Sequence, residues 1–208
     1  MPLLIYQQLD TAAKLGVWRI EEPELFFREH TGLVSAISHP RKRLQHLAGR
    51  FLLKELEPSL SLQAIQPGPS GKPLAQDGAF HFSLSHCGYY VAAILSPSGP
   101  VGIDIEQVQS RIRTLRHKFL NPEEEALLAQ HIPGEAEAFT FGWSVKEAVY
   151  KWNGEGLVDF RQHMRIEAVQ YQNEVWIASC RFLKNGNEIL QVSGFTLDGH
   201  FLAYVLGR

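Results

Sequence analysis

The strongest constraint on the fold is an ordering that occurs twice along the chain: a long amphipathic helix, then two apolar strands joined by a tight turn. In the first half the helix runs from His39 to Leu56, where Leu44, Leu47, Ala48 and Phe51 fall at i, i+3, i+4 and i+7 and form one apolar stripe. The strands follow in FHFSLSHCGYYVAAIL, with a hairpin turn near Cys87 and Gly88. In the second half the helix FTFGWSVKEAVYKW carries the stripe Phe141, Val145, Ala148, Val149 and Trp152. The closing GFTLDGHFLAYVL echoes the earlier strands, with Phe195, Thr196 and Leu197 matching Phe82, Ser83 and Leu84. This ordering predicts an α+β protein made of a duplicated unit, with subdomains at 1–100 and 101–208 and a ligand in the cleft between them.

Smaller elements complete the outline. LLIYQQL opens as a strand, a helical stretch contains Glu21 to Glu29, and QPGPSGKPL is a loop. PSGP separates the halves, a helix begins near NPEEEALLAQ, and strands fill the chain from about Phe160 to Leu206.

Composition removes several function classes. The 208 residues are 45% hydrophobic and 20% charged, enough apolar content to exclude disorder. A net charge of −2 with a pI near 6.5 argues against non-specific nucleic-acid binding. Two cysteines, with no CxxC and no zinc-like spacing, point to a reducing compartment. The apolar run in MPLLIYQQLD is too short for a signal peptide and no stretch reaches the length of a membrane span, so a cytoplasmic protein without nucleic-acid or membrane partners is expected.

Chemistry concentrates in VGIDIE, residues 101–106. Alternation puts Asp104 and Glu106 on one strand face, with Cα atoms roughly 6.6 Å apart, and Gly102 leaves room beside them for a diphosphate or for backbone. Adjacent carboxylates repel unless a cation or proton intervenes, and an oxygen-only donor set suits Mg²⁺ better than zinc. A bare D-x-E is equally compatible with a solvated strand edge. On the second helix, Trp143, Glu147 and Lys151 share the face opposite the core stripe, so Glu147 can add a third ligand and Lys151 a charge for phosphate; an intrahelical Glu–Lys pair is the plainer alternative. The first helix presents Arg43, Arg50 and Lys54 at i, i+7 and i+11, with His46 nearby and no acid between Arg41 and Lys54. Such a stripe suits a dianionic phosphate, or is simply a solvated face. Lys72 in GKP and His86 in SHCG lie on turn-forming segments where an anion can be met.

The set GKP (71–73), FSLSHCG (82–88), VGIDIE (101–106) and WSVKEAVYK (143–151) resembles the surfactin-type 4′-phosphopantetheinyl transferases over about residues 40–157. The resemblance implies a pseudo-twofold monomer of two α+β subdomains with the active site in the cleft between them. Its implied activity is a Mg²⁺-dependent transfer of the 4′-phosphopantetheine arm of coenzyme A to a serine of an acyl or peptidyl carrier protein, releasing adenosine 3′,5′-bisphosphate. Position by position, Asp104, Glu106 and Glu147 match the Mg²⁺ ligands and Lys151 the group that steadies the pyrophosphate or protonates the leaving phosphate. Lys72, Ser85 and His86 match positions that hold coenzyme A, with Arg43 of the basic helix added to them. Glu124 matches the general base, within the run Glu123 to Glu125. Two departures stand out: SHCG replaces the usual SHSG, and Glu155 replaces a basic residue in GxGL. A Mg²⁺-dependent nuclease and a non-catalytic binder of carrier domains or coenzyme A are the competing function classes.

Overall fold

The chain opens with β1, Leu3–Gln8, in a computed structural model that describes residues 3–9, 12–76 and 78–207. Two units emerge, one running to Val101 and the other Gly102–Gly207. In the first, β1 pairs antiparallel with β2, Lys14–Arg19, a strand that the sequence reading does not include. Leu15, Gly16, Val17 and Trp18 are buried in succession, so β2 lacks the two-residue alternation of a half-exposed strand. The helix expected around Glu21 to Glu29 forms as α1, Glu24–Thr31, after Pro23, and ends at Gly32 in the left-handed region at φ 66°. The basic amphipathic segment forms α2, Pro40–Leu56, capped by the His39 side chain, which accepts from the Lys42 N–H.

The loop QPGPSGKPL holds a small antiparallel ribbon of β3, Ile65–Pro67, and β4, Pro73–Ala75. The predicted hairpin forms as β5, His81–Cys87, and β6, Tyr90–Ser96, and the four-stranded sheet has the order β1-β2-β6-β5. Helix α2 lies on β6 and β2, burying Leu47, Ala48, Phe51, Leu52 and Leu56 against Trp18, Val91, Ala93 and Leu95. Each buried leucine there contributes about 1.5–3 kcal/mol.

The second unit contains β7, Val101–Gln107, then α3, Ile112–Leu115, α4, Pro122–His131, and α5, Glu135–Asn153. Four strands follow: β8 Met164–Gln172, β9 Val175–Phe182, β10 Glu188–Leu197 and β11 His200–Leu206. The sheet order is β7-β11-β10-β9-β8, and α5 packs chiefly on β11. In α5 the stripe Phe141, Val145, Ala148 and Val149 is fully buried, while Trp152 is only partly so.

Each unit therefore places its last strand between the first strand of its closing hairpin and a strand that precedes the main helix: β6 lies between β5 and β2, β11 between β10 and β7. The residue match read from the sequence is displaced, however. Leu197 opposes His200 across the turn, as Cys87 opposes Tyr90, so Phe195–Leu197 correspond by position to Ser85–Cys87 instead of Phe82–Leu84. Among the described residues, no helix is long and apolar enough to cross a membrane.

Candidate active site

Gly102 explains how the acidic residues reach their partners. A Cβ at this position would stand 1.9 Å from the Ala148 carbonyl oxygen and 2.7 Å from the Trp152 backbone nitrogen, so only glycine lets β7 run directly against the backbone of α5. Of the two possibilities the sequence left open, backbone is what comes close. Since alternate strand residues share a face, Asp104 and Glu106 point to the same helix. The Lys151 ammonium lies 2.7 Å from Asp104 Oδ1, and Trp143 donates its indole N–H to Glu106 Oε1 at 3.4 Å. Asp104 is only 2% exposed.

The carboxylates feel one another. Burial pushes Glu147 up to about 7, reinforced by Asp104 and Glu106 and opposed by Lys151. Glu106 is raised as well, first by burial and then by Asp104, with Trp143, Lys151 and Arg111 acting against the shift. Asp104, Glu106, Glu147 and Lys151 thus form one electrostatic group. Among the described residues, no three His, Cys, Asp or Glu side chains stand together as a ready-made metal cluster. The donor chemistry nevertheless fits a hard divalent cation: the three candidates are carboxylates, and the Lys151 ammonium already rests on Asp104.

Glu124 is held by its own set of partners. It is 1% exposed on the first turn of α4, where its carboxylate accepts the Asn121 N–H at 2.9 Å while the Asn121 side chain caps the Glu124 N–H at 2.8 Å. Its Oε1 also accepts the Ile166 N–H at 2.8 Å and pairs with the Lys146 ammonium at 2.7 Å. These partners enclose the Glu124 carboxylate and give it a structural role, whatever part it takes in the general-base role that the resemblance implies. Glu125 pairs with Arg116 at 2.9 Å at the surface.

Beside Glu147 lies an open groove of about 500 Å³, floored by Trp143, Glu147 and Tyr150 and walled by Phe119 and Phe160. Leu157, 95% exposed with φ 59°, stands at its rim. Glu155, the departure in GEGL, is exposed and accepts from Asn185 Nδ2 at 2.7 Å, with Lys184 3.9 Å away.

The first unit holds a cavity of about 350 Å³ between α2 and β5, lined by Lys42, His46, Arg50, Ser85 and His86, with Pro73 at its edge. Arg50 is 8% exposed, its guanidinium lies 5.8 Å from the Phe82 ring centroid, and its Nη1 is buried with no hydrogen-bond partner. Burial pulls Arg50 down, and burial, Arg50 and His86 together pull His46 down. Lys72, next to Pro73, is pulled down to about 8 by burial. Arg43 does not belong to this cavity: its Nε donates to both Glu24 oxygens at 2.9 Å and its Nη1 to the carbonyls of Ile37 and Ser38. Lys42, His46 and Arg50 of the same helix line the cavity instead. Lys54 is spent on the His30 carbonyl at 3.3 Å.

A paired-carboxylate strand beside a Glu–Lys helix face supplies the donor types that metal-assisted phosphoryl-group chemistry uses. Residues 100–201 match the model of the 4′-phosphopantetheinyl transferase superfamily. It is 38% identical over 118 residues to the 4′-phosphopantetheinyl transferase AcpT of Escherichia coli (strain K12), covering 54% of this chain and 59% of that protein. To the 4′-phosphopantetheinyl transferase psf-1 of Bacillus pumilus it is 37% identical over 90 residues, 42% of this chain and 38% of that one. The AcpT of Salmonella typhimurium (strain LT2) is 37% identical over 118 residues, 54% and 60% of the two chains. The chain spans roughly half the length of these curated relatives.

Proposed function

We propose that this protein is a surfactin-type transferase that moves the 4′-phosphopantetheine group of coenzyme A to a serine hydroxyl of an acyl or peptidyl carrier protein, acting in the cytoplasm with Mg²⁺. The observation that carries the reading is the seating of β7 on α5 at Gly102, which brings the Lys151 ammonium to Asp104 and couples both to Glu106 and Glu147. Asp104, Glu106 and Glu147 would hold the ion, which when bound supplies neutralisation of the diphosphate oxygens.

The serine oxygen forms a bond to the β-phosphorus of the pyrophosphate, and the bond from that phosphorus to the bridging oxygen breaks, releasing adenosine 3′,5′-bisphosphate. The serine proton passes to solvent water. Lys151 leaves Asp104 for the departing phosphate and stabilises its charge. In the first unit, Arg50, His46, Lys72, Ser85 and His86 would receive the 3′-phosphate and ribose of coenzyme A, a buried arginine with an unused N–H being suited to a phosphate dianion. Cys87 and Cys180 are not joined in a disulfide, which agrees with a reducing compartment.

Incubation with coenzyme A, Mg²⁺ and a panel of apo carriers, followed by intact-mass measurement of the carriers, tests the proposal. A gain of one phosphopantetheine on a serine is expected. No gain on any fatty-acid, polyketide or peptide-synthetase carrier would overturn it.

A further inference from the structure

The second unit buries one complete cation. Lys146 is 0% exposed, on an α5 position whose neighbours along the same face, Phe139, Gly142 and Val149, are buried. Its ammonium donates to the carbonyls of Phe119 at 2.6 Å, Phe160 at 2.9 Å and Met164 at 2.9 Å, and pairs with Glu124 Oε1 at 2.7 Å. Four acceptors around one nitrogen require the ammonium form, although burial pulls Lys146 down against the upward pull of Glu124. Glu124 in turn ties the start of α4 to β8 through Asn121 and Ile166.

Two of the three gripped carbonyls belong to the rings that flank Trp143. Phe119 meets Trp143 edge-on at 5.0 Å between centroids, and Phe160 lies 5.3 Å from Trp143 and 5.6 Å from Tyr150. Trp143 then donates to Glu106. The path is continuous: a buried ammonium holds the backbone of Phe119 and Phe160, their rings set the indole plane, and the indole N–H orients a carboxylate of the acidic face. A methyl-terminated side chain of the same length would leave three inward carbonyls without a donor and Glu124 without its counter-charge.

We infer that Lys146 and Glu124 form a positioning pair that fixes the aromatic walls of the groove and, through Trp143, the orientation of Glu106 for the transfer reaction. The inference rests on the transferase reading for its kinetic consequence, but its structural half stands apart from it. Lys146 touches no substrate atom in this scheme; its effect is exerted through the two loops.

The test uses the full chain with the pair neutralised, Lys146→Met with Glu124→Gln, so that no unpaired charge is buried, and the milder Glu124→Gln alone in case the double variant does not fold. Amide exchange is followed in residues 116–121 and 157–163, and kcat, the KM for an apo carrier and the Kd for coenzyme A are measured well below the melting transition. Expected in the double variant are at least tenfold faster exchange in both segments, with α2 and β6 unchanged, a tenfold or larger fall in kcat per folded molecule, and less than a twofold change in coenzyme A Kd. Glu124→Gln should show the same pattern at roughly threefold. Unchanged exchange in the two segments, or wild-type kcat in the folded variants, overturns the inference. A wild type that modifies no apo carrier would instead overturn the transferase reading, and the exchange arm would still decide whether the pair holds the walls.

Discussion

In the first unit burial pulls bases down, Lys72 to about 8 and Arg50 and His46 below their ordinary values; in the second it pushes acids up, Glu147 to about 7 and Glu106 above its usual range. Similar scaffolds, a helix on an antiparallel hairpin, thus hold charges of opposite sign at a desolvation cost. Such a cost is relieved by a ligand of the opposite charge: an anion in the cavity of the first unit, a cation among the carboxylates of the second. Under the proposed transferase reading, this contrast assigns coenzyme A binding and catalysis to different units, which can be attacked independently.

The largest expected effect is on the acidic side. Asp104→Ala should lower kcat by about three orders of magnitude while changing coenzyme A affinity less than about threefold. Turnover assays and calorimetry would show both, and near-normal turnover in Mg²⁺ would break the comparison. Lys151→Met should lower kcat by about two to three orders of magnitude. Because its ammonium sits on buried Asp104, the same substitution should also tighten binding of Mg²⁺ alone by removing a competing cation, and this can be read by calorimetry without any substrate. Unchanged Mg²⁺ affinity would show that Lys151 and the ion do not share Asp104.

On the basic side, Arg50→Met should weaken coenzyme A binding by about 10- to 100-fold, the worth of a charge-assisted contact of about 1.5–3 kcal/mol, and weaken dephospho-coenzyme A much less. Arg43→Met should leave both affinities nearly unchanged and lower stability through the loss of Glu24's partner. The reverse ranking would return Arg43 to the pocket. Smaller still is a pH effect: with Lys72 at about 8 in the free protein, coenzyme A affinity should decline as pH rises through 8, and Lys72→Met should flatten the curve.

The last prediction concerns stability without metal. Glu147 has an ordinary value of 4.5 raised to about 7, so between these pH values the unfolded chain ionises while the folded one keeps the proton. The unfolded state then binds fewer protons, and stability should fall as pH rises through that window, by roughly 1–3 kcal/mol, and level off above 7. Glu147→Gln should remove the slope in chelator-treated protein. Denaturant titrations at several pH values measure it, and a slope that persists in the variant would place its origin elsewhere.

Several features were legible in local spacing. The α2 stripe, the β5–β6 turn, and the common strand face of Asp104 and Glu106 follow from periods of 3.6 and 2.0, which depend only on backbone geometry. Other signals were present and not taken up. Asn121 and Glu124 in NPEE stand at capping-box spacing, and Lys146 lies seven residues after Phe139, four after Gly142 and three before Val149, on a buried face. The first pointed to a capping role for Glu124 and the second to burial of Lys146, neither to their pairing. Strand β2 was hidden because burial on both faces erases the alternation by which a strand is recognised.

By itself, then, the sequence determined which side of each element a residue occupies: carboxylates on one face of β7, Glu147 and Lys151 together on α5, cations along α2. Only the tertiary structure decided what each of them meets. Arg43 and Arg50 lie seven residues apart on one helix, yet the first closes on Glu24 and the second stays unpaired at Nη1 in a cavity under β5. Gly102 meets a helix backbone 46 to 50 residues away, and Glu124 a lysine 22 residues on. Periodicity is a property of neighbouring peptide units, whereas the partner across a packed interface is set by how whole elements close on one another, which no local spacing encodes.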